Sequence, residues 1–425
     1  MKAVVLAAGE GTRLHPLTLT RPKHMIPLVG RPILEHLLLA LKDAGIDDVL
    51  LVTNYYESQI QRYFNDGAKL SLRVEYAHQE KLLGSGHAIS LAEGYVDDDA
   101  FLVVYGDLLL DPSIIRSTLQ KHDEEGVPVL CVVPVDTPQQ YGVVLLTEDR
   151  VSDIIEKPAS TAFGNLANAG VYIFPEEVFD AIRQTPQSLR DEVEITETIK
   201  GMLSKSVEFA ANRIRGEEWM DVGRPWDLLE ANKRVLERCT MGVKGTVEDG
   251  VHLKGGVHVE EEARLRSGAY VEGPVFIGRG SDVGPNCYLR PYTSLGHNVR
   301  VGNGCEVKNS LVLDGTHIAH LSYVGDSIVG ANCNLGAGTI TANLRLDKET
   351  VRVRVKGEVA DSRRKKLGAI IGDDVETGID VQIMPGIKIG WRSWVGPSTT
   401  VYEDIPSEAF VMQEQKYVRG RKKRG

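Results

Sequence analysis

The sequence predicts two folds in one chain: an α/β unit with a mainly parallel sheet, then a left-handed parallel β-helix of hexapeptide repeats. Two observations carry this. Up to about residue 225, short apolar runs alternate with helical patterns, the order expected of a sheet covered by helices. From Val247 onward an aliphatic residue recurs at every sixth position: Leu253, Val259, Leu265, Val271, Ile277, Val283, Leu289, Leu295, Val301, Val307 and Leu313. Neither a helix nor an alternating strand has a period of six, whereas a triangular coil with three six-residue faces does.

In the first part, residues 3–6, 49–53, 72–76, 101–105, 129–133 and 171–174 read as buried strands. Between several of them, 32–44 (closed by Gly45), 57–65 and 112–124 read as helices. Ligands of such sheets bind beyond the carboxyl ends of the strands. The turn after the first strand, Leu6-Ala7-Ala8-Gly9-Glu10-Gly11-Thr12-Arg13-Leu14, stands at that place. Its glycines let backbone N–H groups approach phosphate oxygens. The spacing excludes a P-loop, and Leu14 stands where a dinucleotide fingerprint needs a third glycine. Two cations flank the turn, Arg13 and Lys23, the second in a Pro22-Lys23 context. Such cations suit a reaction in which negative charge grows on a transferring phosphoryl group and its leaving group.

This stretch, a Gly-x-Gly-Thr-Arg turn followed by Pro22-Lys23 and Pro27, resembles the signature of the sugar-1-phosphate nucleotidylyltransferases. The resemblance implies a Rossmann-like nucleotidyltransferase domain in which Leu6, Ala8, Gly9, Gly11 and Thr12 bind the nucleotide. Arg13 is then expected on the departing pyrophosphate and Lys23 on the α-phosphate. Gln79, with Gly84 and Ser85 in Gly84-Ser85-Gly86-His87-Ala88, resembles the segment that reads the base. An amide offers one donor and one acceptor, which matches the imide edge of uracil or thymine, so UTP and dTTP both stay open. Asp107 follows the strand 101–105, where a carboxylate is a natural Mg²⁺ ligand. The family's other metal ligand falls on Asp221. Gly142, Glu156, Lys157 and Asn168 resemble the segments that hold the sugar phosphate.

Residues 226–237 read as a connecting helix and not as a site. In the repeat region the register shifts near Gly315, and the ladder resumes through Val324, Val329 and Leu335. It is interrupted from about Leu344 to Leu367, with Arg363-Arg364-Lys365-Lys366 inside the interruption, and returns at Ile371. The interruption is expected to be a loop or arm leaving the prism, able to reach a neighbouring subunit. Eighteen residues a coil give roughly seven to nine coils.

His320-Leu321-Ser322-Tyr323 and Asn334-Leu335-Gly336-Ala337-Gly338-Thr339 resemble the acetyltransferase half of the bifunctional N-acetylglucosamine-1-phosphate uridyltransferases, in an archaeal form. By that resemblance His320 is the general base that deprotonates an amino-sugar ammonium, a task imidazole performs near neutral pH. Arg290 and Lys308 would bind the sugar phosphate, Tyr323 and Asn334 the sugar, Asn343 the sugar or the acetyl group, and Ala337 would lie beside acetyl-CoA. Asn343 is followed by Leu344-Arg345-Leu346-Asp347 where the bacterial proteins have Tyr-Asp-Gly, so part of that pocket is rebuilt. Lys348 is a further candidate phosphate contact.

Composition bounds the rest. The net charge of −10 over 425 residues argues against nucleic acid as the main partner. No apolar run spans a membrane and no signal peptide is evident, so a cytoplasmic location is the default. Five scattered cysteines fit reduced, buried thiols. The expected divisions are 1–224 for nucleotidylyl transfer, 225–244 as linker helix, 245–410 as the prism with its inserted loop 344–367, and 411–425 as a basic tail. The tail is a candidate contact for the phosphates of acetyl-CoA, and a homotrimer is implied. Three readings follow: a bifunctional enzyme using Mg²⁺, acetyl-CoA and UTP or dTTP; a monofunctional glucose-1-phosphate thymidylyl- or uridylyltransferase with a structural prism; and a regulatory protein with a dead site.

Overall fold

The computed structural model describes residues 1–96, 100–188, 190–414 and 416. It divides into two compact units. One comprises Met1–Gly11, Arg21–Ile26 and Arg31–Gly223; the other comprises Thr12–Thr20, Pro27–Gly30 and Arg224–Gly425.

The first unit is built on a nine-stranded sheet. Arg73–His78, Asp48–Thr53, Ala3–Ala7 and Ala100–Tyr105 run parallel in that order. Beyond them the sheet is mixed: Leu166–Pro175 runs antiparallel to both Ala100–Tyr105 and Val129–Pro134, and Gly142–Thr147 and Arg150–Glu156 form an antiparallel pair. The side chains of the central strands alternate between two apolar layers. Val5, Leu51 and Val104 pack with Leu34, Leu37 and Leu41 of the helix Ile33–Asp43. Val4, Val52 and Val103 face the opposite layer, with Phe179 and Ile199. The helix Pro112–Glu125 starts where Asp111 accepts a hydrogen bond from the Ser113 N–H at 3.0 Å, and it stops at Gly126.

The second unit contains three parallel sheets of eight, nine and eight strands, the left-handed β-helix that the six-residue repeat predicts. Residues one coil apart stack in register: Val247 on Leu265, Leu265 on Val283, Val283 on Val301. The stacked aliphatic side chains fill the prism.

One corner of the prism departs from regularity. Leu295 stacks on Val312, not on the Leu313 that counting in sixes reaches. The corner at Asn309 is one residue short, turned by a left-handed Asn309 with φ 44°, and the next coil repeats the shortening between Val324 and Val329. The insertion leaves from this corner and is not an arm projecting from the prism. It is a hairpin, Arg352–Val355 against Glu358–Asp361, whose Val351 and Val353 are buried. Gly386 explains the fit, because a Cβ there would lie 2.7 Å from Val351 Cγ1.

Cys131, Cys287, Cys305 and Cys333 are buried free thiols, while Cys239 is only half-buried. Burial pushes the Cys287 and Cys333 thiols up to about 12. Among the described residues no helix is long and apolar enough to cross a membrane. Of the basic tail, Lys416 is exposed and the residues from 417 onward lie outside the described ones.

Candidate functional site

In the first unit the glycine turn leaves the strand Ala3–Ala7 with Ala8 buried and Gly9 exposed. Leu6 contributes its carbonyl, which accepts the Gly106 N–H at 2.9 Å. Gly106 has to be glycine: a Cβ there would meet the Leu6 carbonyl oxygen at 2.8 Å. This contact sets Asp107 beside the turn. The Lys23 ammonium is ion-paired with the Asp107 carboxylate, and its Cε lies 3.9 Å from where a Cβ on Gly9 would stand. Beneath the pair, His24 is fully buried, and burial followed by the charge of Lys23 pushes its imidazole down to about 3. The ring is therefore neutral.

Asp221 reaches the same place through the backbone. Trp219–Asp221 pairs antiparallel with Leu108–Leu110, Asp221 opposite Leu108, and the Val222 N–H donates to the Asp107 carbonyl at 3.1 Å. Among the described residues no group of three or more metal-ligating side chains occurs. Two carboxylates are a donor set that Mg²⁺ accepts when phosphate and water supply its other oxygens. Gly11 adopts φ 67°. Thr12 and the exposed Arg13 lie in the 3₁₀ turn Thr12–Leu14, which clusters with the second unit.

The base-reading candidates converge. Gln79 is buried, and its Nε2 lies 3.2 Å from the Gly84 carbonyl and 3.0 Å from His87 Nδ1. Gly84 (φ 98°) is packed against the backbone of Val193, where a Cβ would come within 2.7 Å of the carbonyl oxygen. Ser85 Oγ accepts the Ile195 N–H at 3.1 Å.

Of the sugar-phosphate candidates, Gly142, Glu156 and Asn168 form one surface. A Cβ on Gly142 would lie 3.2 Å from Glu156 Oε2 and 3.7 Å from Asn168 Cβ. Asn168 donates to the Tyr172 hydroxyl at 2.6 Å, and that hydroxyl donates to Tyr105 at 3.3 Å. Burial pushes Tyr105 up to about 12, and Ser85 hydrogen-bonds it, so the chain of contacts runs from Asn168 to Ser85. Lys157 is exposed and pairs with Glu156 at 2.9 Å. Sequence reasoning missed three residues here. Thr196 donates to Glu156 at 3.2 Å, Arg190 spans Glu156 and Glu194 at 3.4 and 2.6 Å, and burial, then the charge of Glu156, pushes Glu194 up. They sit on the helix Ile195–Ser204 and the loop before it, where no motif marks them.

In the second unit most of the proposed residues share the shortened corner. Asp326, buried, is the hub: it accepts from Lys308 at 2.9 Å, Asn309 at 2.7 Å and Asn343 at 2.5 Å. Asn343 also donates to the Tyr323 hydroxyl at 3.0 Å, and Arg290 is held by Glu306 at 2.9 Å. His320 ends the strand His317–His320 and is exposed, its carbonyl anchored by Ser322 Oγ at 2.7 Å. Asn334 is exposed opposite His317 in the next coil. Ala337 is half-buried, its carbonyl accepting from the Asp380 N–H at 2.8 Å. Lys348 is exposed and is not part of the cavity lined by Arg290 and Lys308, whereas Arg364 is.

Comparison with known proteins agrees with both halves. Residues 2–238 match the nucleotidyl transferase family and residues 271–384 the GMPPB C-terminal domain family. A "Bifunctional protein GlmU" of Methanocaldococcus jannaschii is 42% identical over 419 residues, covering 98% of this chain and 99% of that protein. A "Bifunctional sugar-1-phosphate nucleotidylyltransferase/acetyltransferase" of Sulfurisphaera tokodaii is 40% identical over 407 residues, covering 95% and 98%. Among solved structures, a putative glucose-1-phosphate thymidylyltransferase from Bacillus anthracis superposes with a TM-score of 0.52 at 28% identity, covering 57% of this chain and 97% of its own. With a glycine turn, a Lys23–Asp107 pair and a polar prism corner in one chain, and relatives that match it end to end, the protein belongs to the nucleotidyl transferase family and, over its full length, to the bifunctional sugar-1-phosphate nucleotidylyltransferase/acetyltransferases.

Proposed function

We propose that the chain is a bifunctional enzyme. Its prism acetylates glucosamine 1-phosphate with acetyl-CoA, and its α/β unit transfers a uridylyl or thymidylyl group from UTP or dTTP to the sugar 1-phosphate, releasing pyrophosphate. The observation that carries this reading over a monofunctional one is the hub at Asp326. A prism that only assembles subunits has no use for a buried carboxylate that gathers Lys308, Asn309 and Asn343 beside Tyr323.

For nucleotidyl transfer, a sugar-phosphate oxygen attacks the α-phosphorus in line and the bond to pyrophosphate breaks. Lys23 neutralises the α-phosphate, Arg13 binds the departing pyrophosphate, and Asp107 with Asp221 hold Mg²⁺. Bound there, the ion supplies charge stabilisation of the phosphoryl oxygens. The backbone of the turn from Leu6 to Thr12 cradles the phosphates, and Gln79, Gly84 and Ser85 hold the base. Gly142, Glu156 and Asn168 position the sugar, with Lys157 at its phosphate.

For acetyl transfer, His320 takes a proton from the sugar ammonium. The freed amine attacks the thioester carbonyl, the C–N bond forms, the C–S bond breaks, and the coenzyme leaves as its thiol. Arg290 and Lys308 bind the sugar phosphate, Tyr323, Asn334 and Asn343 the sugar, and Ala337 borders the coenzyme. A homotrimer accounts for the open face. Leu321, next to His320, is 66% exposed, and Leu346 and Ile379 are exposed as well, which suits a site completed by an adjacent prism.

The test is one reaction mixture with glucosamine 1-phosphate, acetyl-CoA, UTP and Mg²⁺, in which free thiol and pyrophosphate are followed separately. Release of both supports the bifunctional reading; pyrophosphate release from supplied N-acetylglucosamine 1-phosphate without any thiol leaves the monofunctional one.

A further inference from the structure

The second unit holds a cavity of about 350 Å³ around Arg290 and Lys308. Three separate segments meet in it: Arg290, Lys308 and Asn309 of the prism corner, Glu230 and Lys233 of the helix Asp227–Arg238, and Arg364 of the insertion. Sequence reasoning treats that helix as a connector and the insertion as a loop or arm leaving the prism. Instead both are walls of one cationic recess.

The pairing within the recess is uneven. Arg290 and Lys308 are held by Glu306 and Asp326 at 2.9 Å each. Lys233 stands over the Tyr292 ring, its ammonium 5.1 Å from the centroid. Arg364 lies at the edge of ion-pair reach of Glu230, Nη1 to Oε2 4.0 Å. Its Nε is buried and meets no acceptor among the described residues. A buried guanidinium N–H without an acceptor is costly, and its complement is an anionic oxygen. Four cations against Glu230, Glu306 and Asp326 leave the recess with one more positive charge than negative. The helix is fixed here by more than its sequence neighbours. Asn232 donates to the Tyr292 carbonyl at 3.0 Å, and Leu236 packs with Phe276.

We infer that Lys233 and Arg364 bind the phosphate of the amino-sugar 1-phosphate together with Arg290 and Lys308. The inference rests on the acetyltransferase reading of the prism. Arg364 supplies planar N–H donors and Lys233 a compact charge, so the phosphate is gripped from the helix, the prism and the insertion at once. The recess explains why the insertion folds back on the corner from which it leaves.

The experiment measures acetyl transfer by thiol release and binding of glucosamine 1-phosphate by calorimetry, on the full chain carrying Lys233→Ala, Arg364→Ala or Arg290→Ala. The expected result for Lys233→Ala and Arg364→Ala is a KM and Kd for glucosamine 1-phosphate raised on the order of tenfold. The KM for acetyl-CoA and the rate of nucleotidyl transfer stay at the native values, and Lys233→Arg and Arg364→Lys recover most of the loss. Unchanged KM and Kd in both alanine variants, with Arg290→Ala impaired, would overturn the inference and spare the reading beneath it. If Arg290→Ala also left both constants unchanged, the acetyltransferase phosphate site itself would be misassigned. Parallel losses for both substrates with no rescue by Lys233→Arg or Arg364→Lys would make the two residues structural and also overturn it.

Discussion

The ammonium of Lys23 is paired with the carboxylate of Asp107, with the Lys23 stem passing over Gly9. One residue aims a positive charge at the phosphate cradle, and the other offers an oxygen to a cation. Replacing either by alanine is expected to lower nucleotidyl transfer on the order of a hundredfold or more, while thiol release in the prism assay stays unchanged. Stopped assays of pyrophosphate and thiol on each variant check this.

Asp221 gives a related expectation. Chelation with EDTA should abolish pyrophosphate release and leave acetyl transfer intact, because the proposed proton transfer at His320 uses an imidazole base and no metal ion. Asp221→Ala should raise the Mg²⁺ concentration needed for half-maximal rate. Metal titration of the rate reads the shift directly.

Gln79 is oriented by the Gly84 carbonyl and by His87 Nδ1, which leaves its carbonyl oxygen to accept from a base N–H. Uracil and thymine carry that donor at N3; cytosine does not. His87→Ala should therefore raise the KM for UTP several-fold, about the value of one misplaced hydrogen bond, and narrow the preference for UTP over CTP. A ratio of kcat/KM values for the two nucleotides measures it.

The prism predicts its own stability. Leu289 is fully buried between Val271 and Val307, one residue before Arg290. Leu289→Ala should cost about 2–5 kcal/mol, read as a fall in the denaturation midpoint of the second unit. Light scattering of the native chain is expected to give the mass of a trimer, and Leu346→Asp to weaken it.

Much of this was legible in the residues. The six-residue ladder named the prism, because burial forces an aliphatic side chain at each face, and the glycine turn with Pro22-Lys23 and Asp107 marked residues that the fold brings side by side. The counting failed at Leu313, since a left-handed Asn309 closes its corner one residue early, and no residue type marks a missing position. The hairpin was present as an alternation of Val351, Val353 and Val355 with Arg352 and Arg354, a period of two inside a stretch read as irregular. Arg190, Thr196, Lys233 and Arg364 escaped because each meets its neighbours through tertiary folding from a segment with no motif of its own.

Whether one chain carries two independent chemistries is read from thiol release from acetyl-CoA by the His320→Ala variant beside the native chain. The expected result is glucosamine-1-phosphate-dependent thiol release by the native protein, its loss by about a hundredfold or more in His320→Ala, and pyrophosphate release from UTP and N-acetylglucosamine 1-phosphate unaltered in both. Equal thiol release by the two proteins, or none by the native one, would contradict it.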